Sequence, residues 1–176
     1  MRTVLGRFLF SGKFMNPDIP HPKARGEWAE MRFMARAAEH RLCVAKPWGD
    51  MAPYDFAVEH NGRFLRVQVK CTRYQRGHSY KCNITSNGTP YARTRLDFIA
   101  AYVIPADTWY IIPVRATHGQ TQILLSPHRR HSKYGRYREA WHLLRASSLN
   151  CPWRSQCLKR LLARHPALAT MSSRTK

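Results

Sequence analysis

The chain has 176 residues and a formal net charge of +20, from 30 Lys and Arg residues against 10 Asp and Glu residues. This length is typical of one domain, large enough to bury a core without disulfide or metal staples. No apolar run approaches the ~20 residues that cross a bilayer, and the first residues lack the pattern of a signal peptide. We therefore expect a cytoplasmic protein without a membrane partner.

The positive charge is unevenly distributed along the chain. Residues 1–60 carry 9 basic and 7 acidic side chains, whereas residues 61–176 carry 21 basic and 3 acidic ones. A Lys/Arg surplus of this size indicates contact with phosphate backbones, which supplies affinity with little sequence information. The alternative is an ordinary solvated face. We favour nucleic acid as the partner, because so much self-repulsion calls for an anionic counterpart.

The first predicted element is a helix that follows an irregular arm at residues 1–21. Apolar residues recur at helical spacing from Lys23 to Leu42. Glu27 falls inside their stripe and Glu30 outside it, so we expect Glu27 on the buried face, where a carboxylate needs a partner. A salt bridge with an arginine and a functional role are equally open for Glu27. Drawn at about 100° per residue, the stripe consists of Trp28, Met31, Met34, Ala35, Ala38 and Leu42.

A polar hairpin is predicted after a short strand at residues 43–48. Two alternating runs, residues 54–59 and 63–72, flank an Asn-Gly dipeptide. An Asn-Gly pair in this position is typical of a two-residue type I′ turn. The turn fixes the pairing of the two strands, so the partner of each residue can be counted outwards from it.

The pairing brings three polar side chains to one face of this hairpin. Asp55 falls opposite Gln68, and Lys70 is the diagonal neighbour. Opposed residues of an antiparallel pair point to the same face, with Cβ atoms about 5 Å apart. A carboxylate, an amide and an ammonium therefore converge. The alternative is an amphipathic edge whose polar face lies in water.

The remaining elements complete a mixed sheet. A loop is predicted at residues 86–90, further strands at 79–84, 98–104, 109–114 and 121–125, and helices at 137–146 and 156–164. This order predicts an α/β (α+β) domain with a central mixed β-sheet flanked by helices. The predicted division is an arm at 1–21, a core at 22–126 and a basic, partly helical extension at 127–176.

The polar hairpin suits phosphodiester hydrolysis. Magnesium takes oxygen ligands and keeps several waters, so one or two carboxylates suffice to bind it. Asp55, the amide oxygen of Gln68 and the backbone carbonyl of Val69 can serve as ligands, with Glu27 as the second carboxylate. Lys70 can orient the attacking water or stabilise developing charge. These five residues are the candidate catalytic and metal-binding set.

In the order of these candidate residues, the sequence resembles the PD-(D/E)xK nucleases. The matching order is Glu27 on a first helix, then Pro53-Tyr54-Asp55, then Gln68-Val69-Lys70. The stretch from 97 to 113 resembles the branch that contains intron-encoded homing endonucleases, and the similarity covers roughly residues 23–114. The resemblance implies a restriction-endonuclease-like core and a Mg²⁺-dependent endodeoxyribonuclease, with Mn²⁺ as a substitute ion. It also implies that Asp55 binds metal and Lys70 assists the nucleophile.

Gln68 departs from the general motif of that family, which has Glu or Asp here. The homing-endonuclease branch resembles this chain in using glutamine. A neutral amide removes one negative charge and should weaken cation affinity, because hard divalent ions favour charged oxygen ligands. The alternative function is therefore a nucleic-acid-binding protein on the same fold that has lost catalysis.

Basic residues near the predicted site and in the extension are candidates for DNA contact. The candidate DNA-binding residues are Arg73, Arg76, Lys81, Arg93, Arg95, Arg129, Arg130 and Lys133.

Cutting both strands of DNA requires two active sites. We therefore expect a homodimer or a higher symmetric oligomer.

Overall fold

Residues 18–145, except positions 50, 61, 87 and 93, are described by a computed structural model and contain one α-helix and ten β-strands. The helix α1 spans Pro22–Glu39. The strands are β1 Val44–Ala45, β2 Phe56–His60, β3 Arg63–Thr72, β4 Gln75–Arg76, β5 Ser79–Asn83, β6 Thr85–Ser86, β7 Thr89–Pro90, β8 Phe98–Val103, β9 Thr108–Pro113 and β10 Gln122–Leu125. Short 3₁₀ segments lie at Ile104–Ala106, Val114–Thr117, Gly135–Tyr137 and Trp141–Leu144.

A mixed five-stranded sheet forms the centre of the fold, in the order β1-β2-β3-β8-β9. β3 and β8 run parallel, and the other neighbours are antiparallel. Parallel neighbours need a long crossover connection, and here the crossover contains β4 and β5. These two strands form a separate three-stranded sheet with β10, in the order β10-β5-β4. The predicted α/β (α+β) domain with a central mixed sheet is confirmed.

The two faces of the central sheet carry separate hydrophobic clusters. On one face, α1 stacks Phe33 on Phe56 with ring centroids 5.1 Å apart, and Trp141 from the C-terminal segment lies 5.6 Å from Phe33. On the other face, the three-stranded sheet contributes Tyr80 and Cys82 to a second cluster. Because both faces are covered, β8 and β9 are buried along almost their whole length.

The face of α1 that packs on the sheet differs from the predicted one. Ala29, Phe33 and Ala37 are buried, whereas Met31 and Met34 are 58% and 43% exposed. At about 100° per residue, the predicted stripe lies on nearly the opposite side of the helix. The prediction was wrong because it followed the bulkier side chains. The alanines one turn before and after Phe33 allow α1 to approach the sheet closely while the phenyl ring fills the space between them.

The basic segment after β10 packs on the sheet without forming the α-helix predicted at residues 137–146. Glu139 separates its two 3₁₀ segments and has a φ of 49°, in the left-handed region that interrupts a helix. Its carboxylate accepts hydrogen bonds from the Trp109 backbone N–H at 2.7 Å and from Trp141 Nε1 at 2.8 Å. The helix prediction was wrong because these tertiary bonds hold the chain against the sheet.

Some predictions concern positions outside the described residues. These are the arm as far as residue 17, the turn residue Asn61, Arg93 and the helix at 156–164. The division of the chain at 21/22 and 126/127 stays a prediction. Within the described residues, no helix is long and apolar enough to cross a membrane. The cysteines there, Cys43, Cys71 and Cys82, form no disulfide with one another.

Candidate active site

The hairpin formed by β2 and β3 has the predicted register. Residues 56–60 pair with residues 63–67 at the positions counted outwards from the turn. Gly62 has a φ of 76°, the left-handed conformation that a type I′ turn requires. Asp55 immediately precedes β2 and lies beside Gln68 of β3. The sequence therefore placed these two side chains correctly.

Asp55 is held by hydrogen bonds at the point where β2 begins. Its backbone N–H donates to the carbonyl of Val67 at 3.0 Å. Its Oδ2 atom accepts a hydrogen bond from Gln68 Nε2 at 2.6 Å and another from the Val69 N–H at 2.7 Å. The carboxylate thus accepts a backbone hydrogen bond from β3 just beyond Phe56, the residue at which β2 stops pairing with β3. Both bonds converge on Oδ2, so Oδ1 is the atom available to a ligand.

Lys70 lies on the same face of β3 as Gln68, because residues two apart in a strand share a face. Both side chains are half-buried. The ammonium of Lys70 lies 5.5 Å from the ring centroid of Tyr91, at a cation–π distance. Tyr91 therefore limits the positions of the ammonium group beside the hairpin.

The pKa of Asp55 is raised above its ordinary value. Burial is the main cause and outweighs the Val69 N–H bond, which lowers it. The charge of Glu30 raises the pKa further, while Lys70 and the Gln68 amide lower it. None of the ion pairs among the described residues includes Asp55. A half-buried carboxylate without an ion-pair partner is a fitting ligand for a bound cation.

The structure changes which helix carboxylate is associated with Asp55. Glu27 is exposed on α1, so the prediction that it lies on the buried face was wrong. Glu30 is half-buried, and its Oε2 atom accepts from Lys46 Nζ at 2.8 Å. Hydrogen bonding to Glu30 is the main cause that raises the pKa of Lys46, with smaller contributions from Asp55 and Glu27. Sequence analysis missed both Glu30 and Lys46. Placing Phe33 on the buried face would have indicated Glu30, which lies one turn before it.

The donor atoms around Asp55 fit a hard cation with many waters. No group of three or more His, Cys, Asp and Glu side chains able to hold a metal occurs in the described part of the chain. Other oxygen donors would therefore have to supplement the carboxylates. The N–H and C=O of one strand residue point to the same neighbouring strand, so the Val69 carbonyl faces the side on which its N–H bonds Asp55. An amide oxygen of Gln68 and the carboxylate of Glu30, whose charge acts on Asp55, would add to these donors an all-oxygen set of the kind that Mg²⁺ accepts.

The raised pKa of Asp55 predicts how pH affects stability without divalent ions. The folded state binds this proton more tightly than the unfolded state, so the contribution of Asp55 to the free energy of unfolding falls as pH rises above its ordinary pKa. We expect Asp55→Asn to be more stable than the wild type at neutral pH, with the difference vanishing near pH 3. Urea unfolding in EDTA at several pH values measures this difference.

Asp97 provides a matched control of opposite sign. Burial raises the pKa of Asp97, but side-chain and backbone hydrogen bonds from Arg66 outweigh it and leave the pKa lowered. Its stabilising contribution is present at neutral pH and is lost on acidification. Asp97→Asn should therefore destabilise the protein at neutral pH. A loss of stability in both variants would contradict the account of Asp55.

The predicted DNA-binding residues are spread around the small sheet and the C-terminal segment. Arg73 pairs with Asp18 at 2.8 Å. Arg73 and Lys81 line one cavity of about 530 Å³, and Arg129 lines another of about 270 Å³. Lys81 is half-buried, and the remaining described members are exposed: Arg73, Arg76, Arg95, Arg129, Arg130 and Lys133.

Comparison with known proteins agrees with this geometry. A model of the PD-(D/E)XK endonuclease family matches residues 20–144. The solved structure of a bacterial homing endonuclease, I-Ssp6803I, is similar with a TM-score of 0.61 and 29% sequence identity, covering 69% of this chain and 91% of that chain. The Holliday junction resolvase Hjc of Archaeoglobus fulgidus is more distant, with a TM-score of 0.48 and 11% identity over 68% of this chain and 95% of that chain. No curated protein matches the chain.

The family match extends over most of the chain and contains every described residue of the candidate site. It begins before α1 and ends within the last 3₁₀ segment. The sheet order, the hairpin register and the order of Asp55, Gln68 and Lys70 lie inside it. The chain belongs to the PD-(D/E)XK endonuclease family.

Proposed function

We propose that the protein is a Mg²⁺-dependent endonuclease that hydrolyses phosphodiester bonds in double-stranded DNA. The observation that carries this proposal is Asp55, a half-buried carboxylate with a raised pKa and no ion-pair partner among the described residues. It is hydrogen-bonded to Gln68 and to the strand that bears Lys70. A half-buried carboxylate of this kind is a suitable ligand for a divalent cation.

The proposed ligands are Asp55 Oδ1, the amide oxygen of Gln68, the Val69 carbonyl and Glu30. Mg²⁺ or Mn²⁺, when bound, would activate water and offset negative charge on the phosphate. Gln68 would coordinate through Oε1, the amide atom that takes no part in its hydrogen bond to Asp55. Lys70 orients the attacking water and stabilises the charge that develops on the phosphate. Glu27 remains the alternative second carboxylate on α1.

DNA is proposed as the substrate because of charge and similarity. The chain after residue 60 has 21 basic and 3 acidic side chains, and such a surplus suits a phosphate backbone. Similarity to the homing endonuclease I-Ssp6803I over 69% of the chain favours a homing role. Two copies acting on a near-palindromic site would cut both strands.

A cleavage assay tests the proposal directly. The full chain is incubated with a supercoiled plasmid library in Mg²⁺, in Mn²⁺ and in EDTA, with structured RNA as a parallel substrate. We expect DNA to be nicked or linearised in Mg²⁺ and Mn²⁺, with no reaction in EDTA and none on RNA. Salt-sensitive DNA binding without cleavage in either ion would instead support the catalytically lapsed alternative. Failure to bind duplex DNA would overturn both.

Replacing each helix glutamate by glutamine tests which of the two, Glu30 or Glu27, is the second metal ligand. Glu30→Gln should reduce the cleavage rate by about tenfold or more, because a loss of ~1.4 kcal/mol in transition-state stabilisation is tenfold in rate. Glu27→Gln should change it less than threefold. Cleavage rates at several Mg²⁺ concentrations distinguish a weaker metal site from a slower step. If Glu27→Gln were the slower variant, the original prediction for Glu27 would stand and Glu30 would be structural.

Replacing the unusual glutamine tests the strength of the metal site. Gln68→Glu adds a charged oxygen ligand, so the Mg²⁺ concentration for half-maximal cleavage should fall by about tenfold, since hard divalent ions favour carboxylates. Without metal, the two adjacent carboxylates repel, and the variant should be less stable than the wild type. Gln120→Glu makes the same charge change at a residue that accepts from Tyr134 and does not contact Asp55. An equal effect of both substitutions would show that net charge alone is responsible.

A further inference from the structure

The small sheet β10-β5-β4 has one buried and one open face. Tyr80 and Cys82 of β5, together with Ile123 and Leu125 of β10, pack into the second hydrophobic cluster. The residues between them alternate to the other face. Of these, Asn83, Gln122 and Leu124 are exposed and Lys81 is half-buried. Leu124 is 47% exposed and so leaves apolar surface on the open face.

The register of β5 and β10 places unlike chemical groups side by side on the open face. Gln122 pairs with Asn83, and Leu124 pairs with Lys81. Two amides, each with a donor and an acceptor, therefore lie next to an apolar group and an ammonium. Amides hydrogen-bond adenine, cationic side chains bond guanine, and apolar groups contact the thymine methyl in the major groove of DNA.

The open face is physically joined to the strand that carries the candidate active site. Thr72, two residues after Lys70 in β3, donates its hydroxyl hydrogen to the carbonyl of Lys81 at 2.6 Å. A cavity of about 530 Å³ lies at this junction, and Arg25, Arg73, Lys81 and Asn83 are among its lining residues. Cations at the junction suit the phosphates of a strand that continues from the active site toward the open face.

Charge favours nucleic acid over protein as the occupant of this face. The chain after residue 60 has three acidic residues, and all three are bonded elsewhere. Asp97 pairs with Arg66, Asp107 with Arg32, and Glu139 accepts from the two tryptophans. The open face therefore presents amides and cations without a carboxylate from this part of the chain. A polyanion is the complementary partner.

We propose that the open face of β5 and β10 enters the major groove and determines sequence preference through Asn83 and Gln122, with Leu124 packing on a thymine methyl. The inference rests on the proposed DNA endonuclease function and extends it from cutting to target choice. The major groove is about 12 Å wide and admits a two-stranded β-ribbon. Lys81 and Arg73 contact phosphates and position the ribbon, whereas the amides distinguish bases.

A binding selection tests base recognition by the open face independently of the proposed endonuclease function. The full-length protein is incubated with a randomised duplex library in Ca²⁺, so that binding is measured without depending on cleavage. Bound sequences and affinities at two salt concentrations are recorded for the wild type and for Asn83→Ala, Gln122→Ala and Leu124→Ala. Each variant should lose about tenfold discrimination at one or two base pairs, since a good base contact contributes this order of specificity. Affinity for non-preferred DNA and its salt dependence should stay unchanged.

Two control variants define the other outcomes. Lys81→Gln should weaken binding to all sequences and reduce the slope of log affinity against log salt by about one, with the base preference retained. Gln120→Ala removes an amide that bonds Tyr134 and should leave the preference intact. Thermal melting of each variant checks that folding is preserved. Unchanged preferences in all three face variants, with duplex binding intact, would overturn the inference. Absence of duplex binding by the wild type would overturn the proposed function instead.

Discussion

Asp55→Asn is expected to abolish DNA cleavage while the protein stays folded and binds DNA. The substitution removes the charged ligand closest to Gln68 and Val69 but retains an oxygen that accepts the Val69 N–H. A catalytic metal contributes several kcal/mol to the transition state, so the loss should be about 10³-fold or more, at ~1.4 kcal/mol for each factor of ten. Single-turnover cleavage of plasmid DNA in Mg²⁺ measures it.

Glu59→Gln is the matched control for Asp55→Asn. Glu59 lies on β2, four residues after Asp55, is half-buried, and carries the same charge. Its replacement should change the rate less than threefold. Filter binding of duplex DNA in Ca²⁺ should give similar affinities for both variants and the wild type. Residual cleavage by Asp55→Asn within tenfold of the wild type would exclude Asp55 as a metal ligand.

Lys70→Met is expected to reduce the rate of cleavage by about 10²–10⁴-fold, the range of general acid–base and proton-positioning contributions. Methionine preserves much of the apolar stem but removes the ammonium that lies 5.5 Å from the Tyr91 ring centroid. Because Lys70 lowers the pKa of Asp55, its loss should raise that pKa further. The pH profile of the remaining activity should therefore shift to higher pH.

Lys81→Met is the control that separates catalysis from attraction of DNA. Both lysines are half-buried and lie on joined strands. Lys70→Met should lower kcat with little change in KM, whereas Lys81→Met should raise KM with little change in kcat. A variant of Lys70 that only raised KM would assign that residue to phosphate contact rather than to the reaction.

The sequence by itself determined the part of the site that depends on local pairing. A two-residue turn fixes which residues face each other across a hairpin, so Asp55 and Gln68 were brought together without knowledge of the rest of the fold. The same alternation predicts that Lys70 shares their face. The mixed sheet also followed from the order of helix and strands. The pairing and shared face of the hairpin residues depend on backbone geometry over a few neighbouring residues.

Tertiary structure decided which side chains surround that hairpin. The side of α1 that packs on the sheet depends on how closely Ala29 and Ala37 allow it to approach. That packing leaves Glu27 exposed and Glu30 half-buried. Lys46 lies beside this helix carboxylate because the folded chain brings it to Glu30, 16 residues earlier in sequence.

The conformation of the C-terminal segment also could not be predicted from neighbouring residues alone. Its helical pattern did not form a helix, because the carboxylate of Glu139 bonds the backbone of Trp109, 30 residues away. The open face of β5 and β10 also depends on a pairing between distant strands. Hydrogen bonds within a hairpin are encoded by adjacent residues, whereas burial and long-range pairing depend on the whole fold. The sequence therefore determined the hairpin that brings Asp55, Gln68 and Lys70 together, and only the tertiary structure determined the helix residues beside it and the surface proposed to contact DNA bases.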